Sequence, residues 1–252
     1  MEIPAAFLCD YHVHTGISPC ARAEMTLERI VERAERRGYR ALGISDHAYP
    51  GTWDRILALR EQVSSIKTGI RLYLGCEVDV LADGSLGMAD EKLEVLDYVI
   101  GAPTHPIQMY EPDKATEEVR RAQVEQWFSL MENACAHAVI DVIAHPLRGL
   151  QGGNEAEPLT ERLESRRLEA LLDRLRAAGS ALELTDPLEN YRTAYDGTRR
   201  FYRAAAQRGF LFSPGSDAHG LDRLGNQCHA LYLYRDLGLS EGRMWQPGPR
   251  RT

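Results

Sequence analysis

The sequence lacks a C-x-x-C pair, an apolar run of membrane-spanning length and a strongly basic segment, and each absence excludes a class of protein. Its five cysteines are scattered and odd in number, which argues against a disulfide framework or a zinc-finger module. A membrane span needs about 20 consecutive apolar residues, and a secretory signal needs a basic segment followed by an apolar core. The sequence contains neither, so we expect a cytoplasmic protein with reduced thiols.

An excess of positive charge is also missing, because the formal net charge is -7. This charge opposes nonspecific attraction to a phosphate backbone, so long nucleic acid is not an expected partner. Small anionic substrates remain compatible with it, provided that they are held by local groups. No membrane partner is expected, and the sequence leaves the oligomeric state open.

What is present is an ordinary globular composition, with 44% hydrophobic and 27% charged residues in a chain of 252 residues. Short apolar runs alternate with segments of helical spacing, which predicts parallel strands joined by helical crossovers. Seven such units favour a barrel over an open sheet. The predicted strands begin near Ala6, Arg40, Ile70, Tyr98, Val139, Ala181 and Phe210.

Local signals refine this pattern at several points. Thr26 and Thr52 are predicted to cap the helices that follow them, and a long helix is predicted from about Ala115 to Ala136. The apolar run Ala230 to Tyr234 is predicted to add a last strand.

One barrel domain is predicted over residues 1–235, followed by a C-terminal tail over residues 236–252. The part of the tail from Glu241 to Thr252 contains Pro247, Gly248 and Pro249, and we expect it to be poorly ordered.

Two histidines two residues apart follow the first apolar run, in the segment Asp10 to Thr15. Residues i and i+2 of a strand point to the same face, so His12 and His14 are predicted to lie side by side at the end of the strand. An isolated pair of this kind more often represents two hydrogen-bonded structural histidines, so a metal site requires further ligands.

Further candidate ligands follow the other predicted strands. In a parallel barrel the C-terminal ends of all strands lie on one rim, where active sites are built, so residues distant in sequence converge there. Imidazoles and carboxylates suit zinc, manganese or iron, and about nine candidates exceed the four ligands of one zinc ion. We therefore predict two or three divalent ions. The candidates are His12, His14, Asp46, His47, Glu77, His105, His145, Asp217 and His219.

These residues stand in motifs that resemble those of the PHP family, the polymerase and histidinol phosphatase domain. The resemblance spans roughly residues 8 to 220, and the order and spacing of the motifs make it specific. The motifs are D-x-H-x-H-T (Asp10 to Thr15), S-D-H (Ser45 to His47), G-x-E (Gly75 to Glu77), His105, A-H-P (Ala144 to Pro146) and G-S-D-A-H (Gly215 to His219).

The resemblance implies a distorted (β/α)7 TIM-like barrel of parallel strands in a single domain, with a trinuclear metal centre at its C-terminal rim. It implies that one ion is held by four residues and a second by three, with one carboxylate bridging the two. The implied sets are His12, His14, Glu77 and Asp217 for the first ion and Glu77, His105 and His145 for the second.

The third ion is implied to be held by His47 and His219 with a ligand from the loop after the first strand. Many family members have a histidine six residues beyond the second histidine of the first motif, where this chain has Cys20. A thiolate can bind Zn²⁺ or Fe²⁺, so Cys20 is either a ligand of the third ion or a small buried thiol.

Other residues are assigned supporting roles. Asp10 is expected to orient a ligating histidine, and Asp46 either does the same or bridges ions. Glu183 is predicted to contact substrate or a metal-bound water, with a structural hydrogen bond as the alternative. Arg148 and Arg192 are the preferred phosphate-binding arginines, since each closely follows a strand that carries a site residue.

The predicted activity is hydrolysis of a small phosphate monoester, similar to that of histidinol phosphatase, by a metal-bound hydroxide. Asp217, His219 and His47 are the expected catalytic residues. One alternative is a phosphodiesterase or exonuclease acting on nucleotides or cyclic phosphates. Another is a metal-stabilised binding domain without turnover.

Overall fold

Seven parallel strands form one sheet, in which every strand pairs with the next strand along the chain. The computed structural model describes residues 3–107, 116–150, 159–184 and 191–248, except for the side chains of residues 191–195. The strands are β1 (Cys9–Val13), β2 (Ala41–Ile44), β3 (Arg71–Asp79), β4 (Tyr98–Ala102), β5 (Val142–Ile143), β6 (Ala181–Leu184) and β7 (Phe212–Pro214).

The sheet curves into a nearly closed barrel, because the first and last strands meet. Val13 forms a parallel bridge with Ala218, just after β7. Two backbone hydrogen bonds support this closure: His14 N–H donates to Ala218 O (3.1 Å), and Ala218 N–H donates to His12 O (3.3 Å). The predicted barrel of parallel strands is confirmed. Its closure brings the first motif, with His12 and His14, next to the last motif, with Asp217 and His219.

Helices connect the strands and cover the outside of the barrel. Thr26 caps the first helix as predicted, since its side chain accepts a hydrogen bond from Arg29 N–H (3.4 Å). The fifth helix ends at Gly179, whose φ of 89° suits glycine. The helices are α1 (Leu27–Arg36), α2 (Trp53–Ser65), α3 (Asp90–Leu93), α4 (Glu117–Ala134), α5 (Ser165–Ala178), α6 (Tyr191–Gln207) and α7 (Cys228–Asp236).

Two local predictions need correction. Ala230 to Tyr234 belongs to helix α7 and adds no strand. Its apolar side chains Ala230, Leu233 and Tyr234 follow helical spacing and are buried, and a short apolar run does not distinguish this from a strand. Thr52 occupies the predicted N-cap position of α2 but makes no side-chain capping bond, because its hydroxyl accepts from Tyr49 N–H (2.9 Å) and donates to His47 O (2.5 Å). It therefore secures the loop that carries His47.

The C-terminal segment packs against the barrel as far as it is described, contrary to the expected poor order. Met244 and Pro247 are buried, and Trp245 N–H donates to Phe212 O (2.8 Å). Residues 249–252 lie outside the described residues. The boundary between domain and tail at residues 235 and 236 stays a prediction.

Aromatic side chains fill the barrel interior below the strand ends. Tyr98 lies across the interior, and a Cβ atom on either Gly43 or Gly75 would overlap with its ring or hydroxyl. Its hydroxyl donates to Tyr11 O (2.7 Å), next to the first histidine of the motif. Trp245 packs edge-on against Tyr11, with ring centroids 5.6 Å apart, at the end of the barrel opposite the histidines. This packing supports β1 from below.

No helix in the described ranges is both long enough and apolar enough to span a membrane.

Candidate metal centre

The predicted ligands converge at the C-terminal ends of the strands. His12 lies in β1 and His14 directly follows it; Glu77 lies in β3, and the others follow β2, β4, β5 and β7. Most of these side chains are buried, from 0% exposed at His14 to 32% at His219. Eight residues predicted from sequence therefore lie on one rim: His12, His14, His47, Glu77, His105, His145, Asp217 and His219.

Glu77 lies between two sets of histidines, with one carboxylate oxygen towards each. Oε1 is 2.9 Å from His145 Nε2 and 3.3 Å from His105 Nε2. Oε2 is 3.4 Å from His12 Nε2 and 3.1 Å from His47 Nδ1. A carboxylate in this position can share its oxygens between two ions.

Asp217 joins the histidines of the opposite side. Its Oδ1 atom is 3.4 Å from His12 Nε2, 3.2 Å from His14 Nε2 and 3.0 Å from His219 Nε2. Asp217 has a φ of 50° and His145 a φ of 26°, and these are the described non-glycine residues with positive φ. Such backbone conformations cost about 1–3 kcal/mol each and cluster at functional sites.

Three groups of ligand atoms lie close enough to hold an ion each, with all atoms of a group within 4.8 Å of one another. The first reproduces the set predicted for the first ion. The second contains His47 where His145 was predicted, although His145 also contacts Glu77. The third contains His14 where Cys20 was predicted. The groups are His12, His14, Glu77 and Asp217; His47, Glu77 and His105; and His14, His47 and His219.

The donor set fits divalent metal ions. Ligand atoms around a tetrahedral zinc ion are roughly 3.4 Å apart, given bonds of about 2.0–2.1 Å, and the Nε2–carboxylate distances of 3.2–3.5 Å match this. Three buried polar atoms at the centre have no hydrogen-bond partner among the described residues: His12 Nε2, His47 Nδ1 and Glu77 Oε2. Cations bound at the groups of ligand atoms would satisfy these atoms.

The electrostatics favour ionised carboxylates at Glu77 and Asp217 and a neutral imidazole at His47, whereas Glu183 and Glu77 raise the pKa of His12 well above its ordinary value despite its burial. Burial acts to raise the pKa of Glu77, but the neighbouring His12 and His105 outweigh it and hold this pKa well below its ordinary value. Burial acts to raise the pKa of Asp217, but the neighbouring His12 outweighs it and holds this pKa well below its usual range. Burial lowers the pKa of His47 to about 4, which leaves that imidazole neutral near pH 7.

Each of four ligand-type histidines has its Nδ1 atom engaged by another protein group, which turns Nε2 towards the centre. His12 Nδ1 is 2.7 Å from Glu183 Oε1, and His105 Nδ1 is 2.7 Å from Asp79 Oδ1. The other two contact hydroxyls: His145 Nδ1 is 2.9 Å from Thr104 Oγ1, and His14 Nδ1 is 3.1 Å from Ser18 Oγ.

Sequence reasoning missed Asp79, Thr104 and Ser18. Asp79 had a usable signal, since it lies two residues beyond Glu77 on the same strand and therefore on the same face. Thr104 precedes His105 but contacts His145, which is 41 residues away in sequence. No local pattern reveals such a contact.

Glu183 is fully buried and contacts two ligand-bearing segments. Besides His12, it accepts a hydrogen bond from His145 N–H to Oε2 (2.7 Å). Both carboxylate oxygens are used in this way, and the side chain is 0% exposed. This placement corresponds to the structural hydrogen bond named as the alternative for Glu183, and it holds the positive-φ backbone of His145.

Asp10 and Asp46 also bond to backbone and hydroxyl groups. Asp10 accepts hydrogen bonds from the backbone N–H groups of His12 (3.3 Å), Ser216 (3.0 Å) and Gly225 (3.3 Å), and burial raises its pKa to about 6. Asp10 thus orients the backbone near the candidate ligands. Contrary to the expectation from the sequence, it makes no described contact with the ring of a ligating histidine. Among the described residues, the carboxylate of Asp46 accepts hydrogen bonds from Thr15 and Ser18 in the loop after β1.

Cys20 is exposed and belongs to none of the three groups of ligand atoms found in the described residues. Partial desolvation and the carboxylates of Asp217 and Glu77 raise the pKa of its thiol. The alternative of a small buried thiol is therefore wrong for this residue, and its ligation of a third ion stays a prediction.

The predicted arginines have different positions. Arg148 is half-buried beside the rim, where its charge opposes the rise in the pKa of His105 that Glu77 and Asp79 cause, and among the described residues its guanidinium has no hydrogen-bond or ion-pair partner. The side chain of Arg192, near the start of α6, lies outside the described side chains.

Tyr49, which sequence reasoning missed, stacks on His47 with ring centroids 5.2 Å apart and an interplanar angle of 13°.

A model of the PHP domain family matches residues 10–187, more than half of the chain. The chain belongs to the PHP domain family. The resemblance expected from the motifs is confirmed, and the matched residues include the candidate ligands from His12 to His145.

Curated relatives cover most of this PHP chain. A protein named "Probable phosphatase" from Syntrophotalea carbinolica is 27% identical over 240 residues, which are 92% of this chain and 88% of the relative. "DNA polymerase/3'-5' exonuclease PolX" of Bacillus subtilis is 24% identical over 228 residues, covering 85% of this chain but 35% of the relative.

A solved structure of the same fold is that of histidinol phosphate phosphatase from Lactococcus lactis, complexed with zinc, L-histidinol and phosphate. It superposes with a TM-score of 0.65 at 18% sequence identity, over 92% of this chain and 94% of that one. At this identity the likeness confirms the fold alone.

Proposed function

We propose that this PHP chain hydrolyses a small phosphate monoester, using two or three divalent ions held at the strand ends. The chain is an enzyme of the hydrolase class, a phosphatase of the PHP family; what is proposed is its substrate and the role of each residue. The observation that carries the proposal is Glu77, whose two oxygens face different histidines.

The residues proposed to hold the ions are those whose donor atoms converge. His12, His14, Asp217 and Glu77 would hold one ion, and His105 and His145 would hold a second together with Glu77. Divalent ions supply an activated water as the nucleophile and neutralise charge on the phosphoryl oxygens.

The open side of the centre is proposed to receive the substrate. Asp217 and His219 are 28% and 32% exposed, whereas the side chain of Glu77 is 1% exposed. A phosphate ester entering from solvent would therefore meet His219 first. We assign His219, and His47 behind it, to contact the leaving oxygen, since both offer imidazole nitrogens at that side.

Arg148 is proposed to bind the phosphate. A half-buried guanidinium without a described partner lies beside His105, in a protein whose net charge is negative. Its planar set of N–H donors matches the oxygens of a phosphoryl group. Tyr49 lies within the electrostatic reach of the same arginine, so its hydroxyl is a second candidate contact.

Histidinol phosphate is one candidate substrate, since the structural neighbour was solved with L-histidinol and phosphate. The alternative of a diesterase or exonuclease has support from the PolX relative, although this chain spans about a third of that protein. The net charge of -7 weighs against long nucleic acid and leaves nucleotides open.

The test is turnover of an aryl phosphate, its diester and a phosphorylated-metabolite panel that includes histidinol phosphate, each with Mn²⁺ or Zn²⁺. We expect monoester turnover that Asp217→Asn and His145→Ala reduce together with metal content. His137→Ala is the matched control, because that imidazole contacts Asp90 and Gly84 O away from the centre. Diester turnover alone would favour the alternative, and no turnover with bound metal would favour a binding domain.

A further inference from the structure

Ser18 lies at the junction of two ligand-bearing loops. It is 1% exposed, in the loop after β1. Its hydroxyl oxygen contacts three polar groups: Asp46 Oδ1 at 2.6 Å, His14 Nδ1 at 3.1 Å and the backbone nitrogen of His47 at 3.1 Å. One hydroxyl thus joins residues that follow β1 with residues that follow β2.

The direction of these three hydrogen bonds follows from counting protons. A serine hydroxyl has one proton to donate and two lone pairs to accept with. Asp46 accepts at both oxygens from Thr15 and Ser18, so the hydroxyl proton goes to Asp46. The N–H of His47 can only donate. The remaining contact therefore requires His14 to carry its proton on Nδ1 and donate it to Ser18.

This proton position determines which lone pair His14 presents. With the proton on Nδ1, Nε2 is unprotonated and faces Asp217 Oδ1 at 3.2 Å and Glu77 Oε2 at 3.5 Å. With the proton on Nε2, the ring would instead donate to Asp217 and could bind no metal through that atom. His14 belongs to two of the three ligand groups in the described residues, so its proton position affects both.

We propose that Ser18 is a positioning residue that holds His14 in the Nδ1–H form, so that His14 Nε2 is free to bind metal in the two groups that share it. The proposal rests on the metal-dependent function proposed above. It distinguishes His14 from His12 and His105, whose Nδ1 atoms contact carboxylates directly. For His14 the carboxylate of Asp46 accepts the proton of the Ser18 hydroxyl, which leaves the hydroxyl oxygen to accept from His14 Nδ1.

The loop provides a matched control. Thr15 donates its hydroxyl to the same carboxylate, Asp46 Oδ2 at 2.7 Å, and accepts from Ile17 N–H. Its hydroxyl has no described contact with a histidine ring. Thr15→Val and Ser18→Ala therefore each remove one hydroxyl bonded to Asp46, and only Ser18→Ala removes the acceptor of His14.

The experiment measures the imidazole ¹⁵N shifts of His14 in metal-free protein, and the zinc affinity and zinc content of each variant. We expect the Nδ1–H form in the wild type and in Thr15→Val, and a gain of the Nε2–H form in Ser18→Ala. Zinc affinity of Ser18→Ala should fall roughly 10- to 100-fold, with Thr15→Val close to wild type.

Two results would overturn the proposal. One is an Nε2–H form of His14 in the wild type, which decides the matter even if Ser18→Ala does not fold. The other is equal loss of zinc in both variants, which would indicate a general effect on the loop. If the wild type bound no metal, the proposed function would fail, while the His14 signals in wild type and Ser18→Ala would still support or refute the role of Ser18.

Discussion

The missing side chain of Gly215 provides the space that the carboxylate of Glu183 occupies. A Cβ atom at position 215 would overlap with Glu183 Oε1 and would also lie 2.9 Å from His12 Cβ. Glu183 in turn contacts the ring of His12 and the backbone of His145. Gly215 of the G-S-D-A-H motif thus leaves room for Glu183, which in turn positions two candidate ligands, His12 and His145.

Gly215→Ala is therefore expected to displace Glu183. We expect a loss of about 1–3 kcal/mol in the free energy of unfolding from overpacking, together with weaker metal binding. Chemical denaturation and metal titration measure the two effects. Gly51→Ala is the control, since a Cβ atom there would meet nothing within 4 Å. Unchanged metal affinity in Gly215→Ala would contradict the inferred contact.

Glu183→Gln should leave the fold intact and weaken metal binding. Glutamine offers one acceptor oxygen where two N–H groups, from His12 and His145, need acceptors. We expect metal affinity to fall roughly 10- to 100-fold. Isothermal titration with zinc checks this, with the exposed Glu169→Gln on α5 as control. Loss of turnover at full metal occupancy would instead favour a direct role of Glu183 at the substrate.

Metal should stabilise the protein strongly, because three buried polar atoms at the centre lack a partner among the described residues. At a metal concentration 100 times the Kd, the stabilisation is about 2.7 kcal/mol. For a chain of this size, this corresponds to a rise in Tm of roughly 5–10 °C. Thermal scans with zinc and with chelator measure it. Asp217→Asn should abolish most of the rise; an undiminished rise would place the metal elsewhere.

The cysteines should differ in reactivity towards a thiol reagent in the native protein. Cys20 and Cys228 are exposed and should react first, whereas Cys9 and Cys76 are buried and should react only on unfolding. Burial raises the pKa of Cys9 to about 12, which further suppresses its thiolate. Labelling followed by peptide mass spectrometry measures this order.

The same labelling decides whether Cys20 binds metal. If Cys20 ligates the third ion, added zinc should slow its labelling and leave that of Cys228 unchanged. Equal rates with and without zinc would leave the third ion to His14, His47 and His219.

Trp245→Ala should destabilise the barrel although it touches no candidate ligand. The indole packs on Tyr11 and Tyr98, which fill the interior below the centre. A fully buried tryptophan costs roughly 3–5 kcal/mol on removal, and this half-buried one should cost about 2 kcal/mol. Denaturant unfolding measures the loss. The adjacent exposed Gln246→Ala should be neutral, and a neutral Trp245→Ala would show that the segment is dispensable.

The sequence by itself indicated the candidate ligands, because they lie directly at strand ends. His12 and His14 share a face through the two-residue period of a strand, and parallel pairing places every strand end on one rim. The positions of the strands could be predicted from local apolar runs alone, and the number and order of the strands then indicated a barrel. The same runs misplaced the segment of α7, since a short apolar run does not distinguish a strand from a helix.

Only the tertiary structure decided how those ligands are held. Glu183 meets His12 across 171 residues and Thr104 meets His145 across 41, and no local period relates such pairs. Which ring nitrogen faces the centre depends on these distant hydrogen bonds, because an imidazole can carry its proton on either nitrogen. The sequence at the strand ends thus indicates the candidate ligands, whereas the proton positions and orientations of their side chains depend on contacts that form only in the closed barrel.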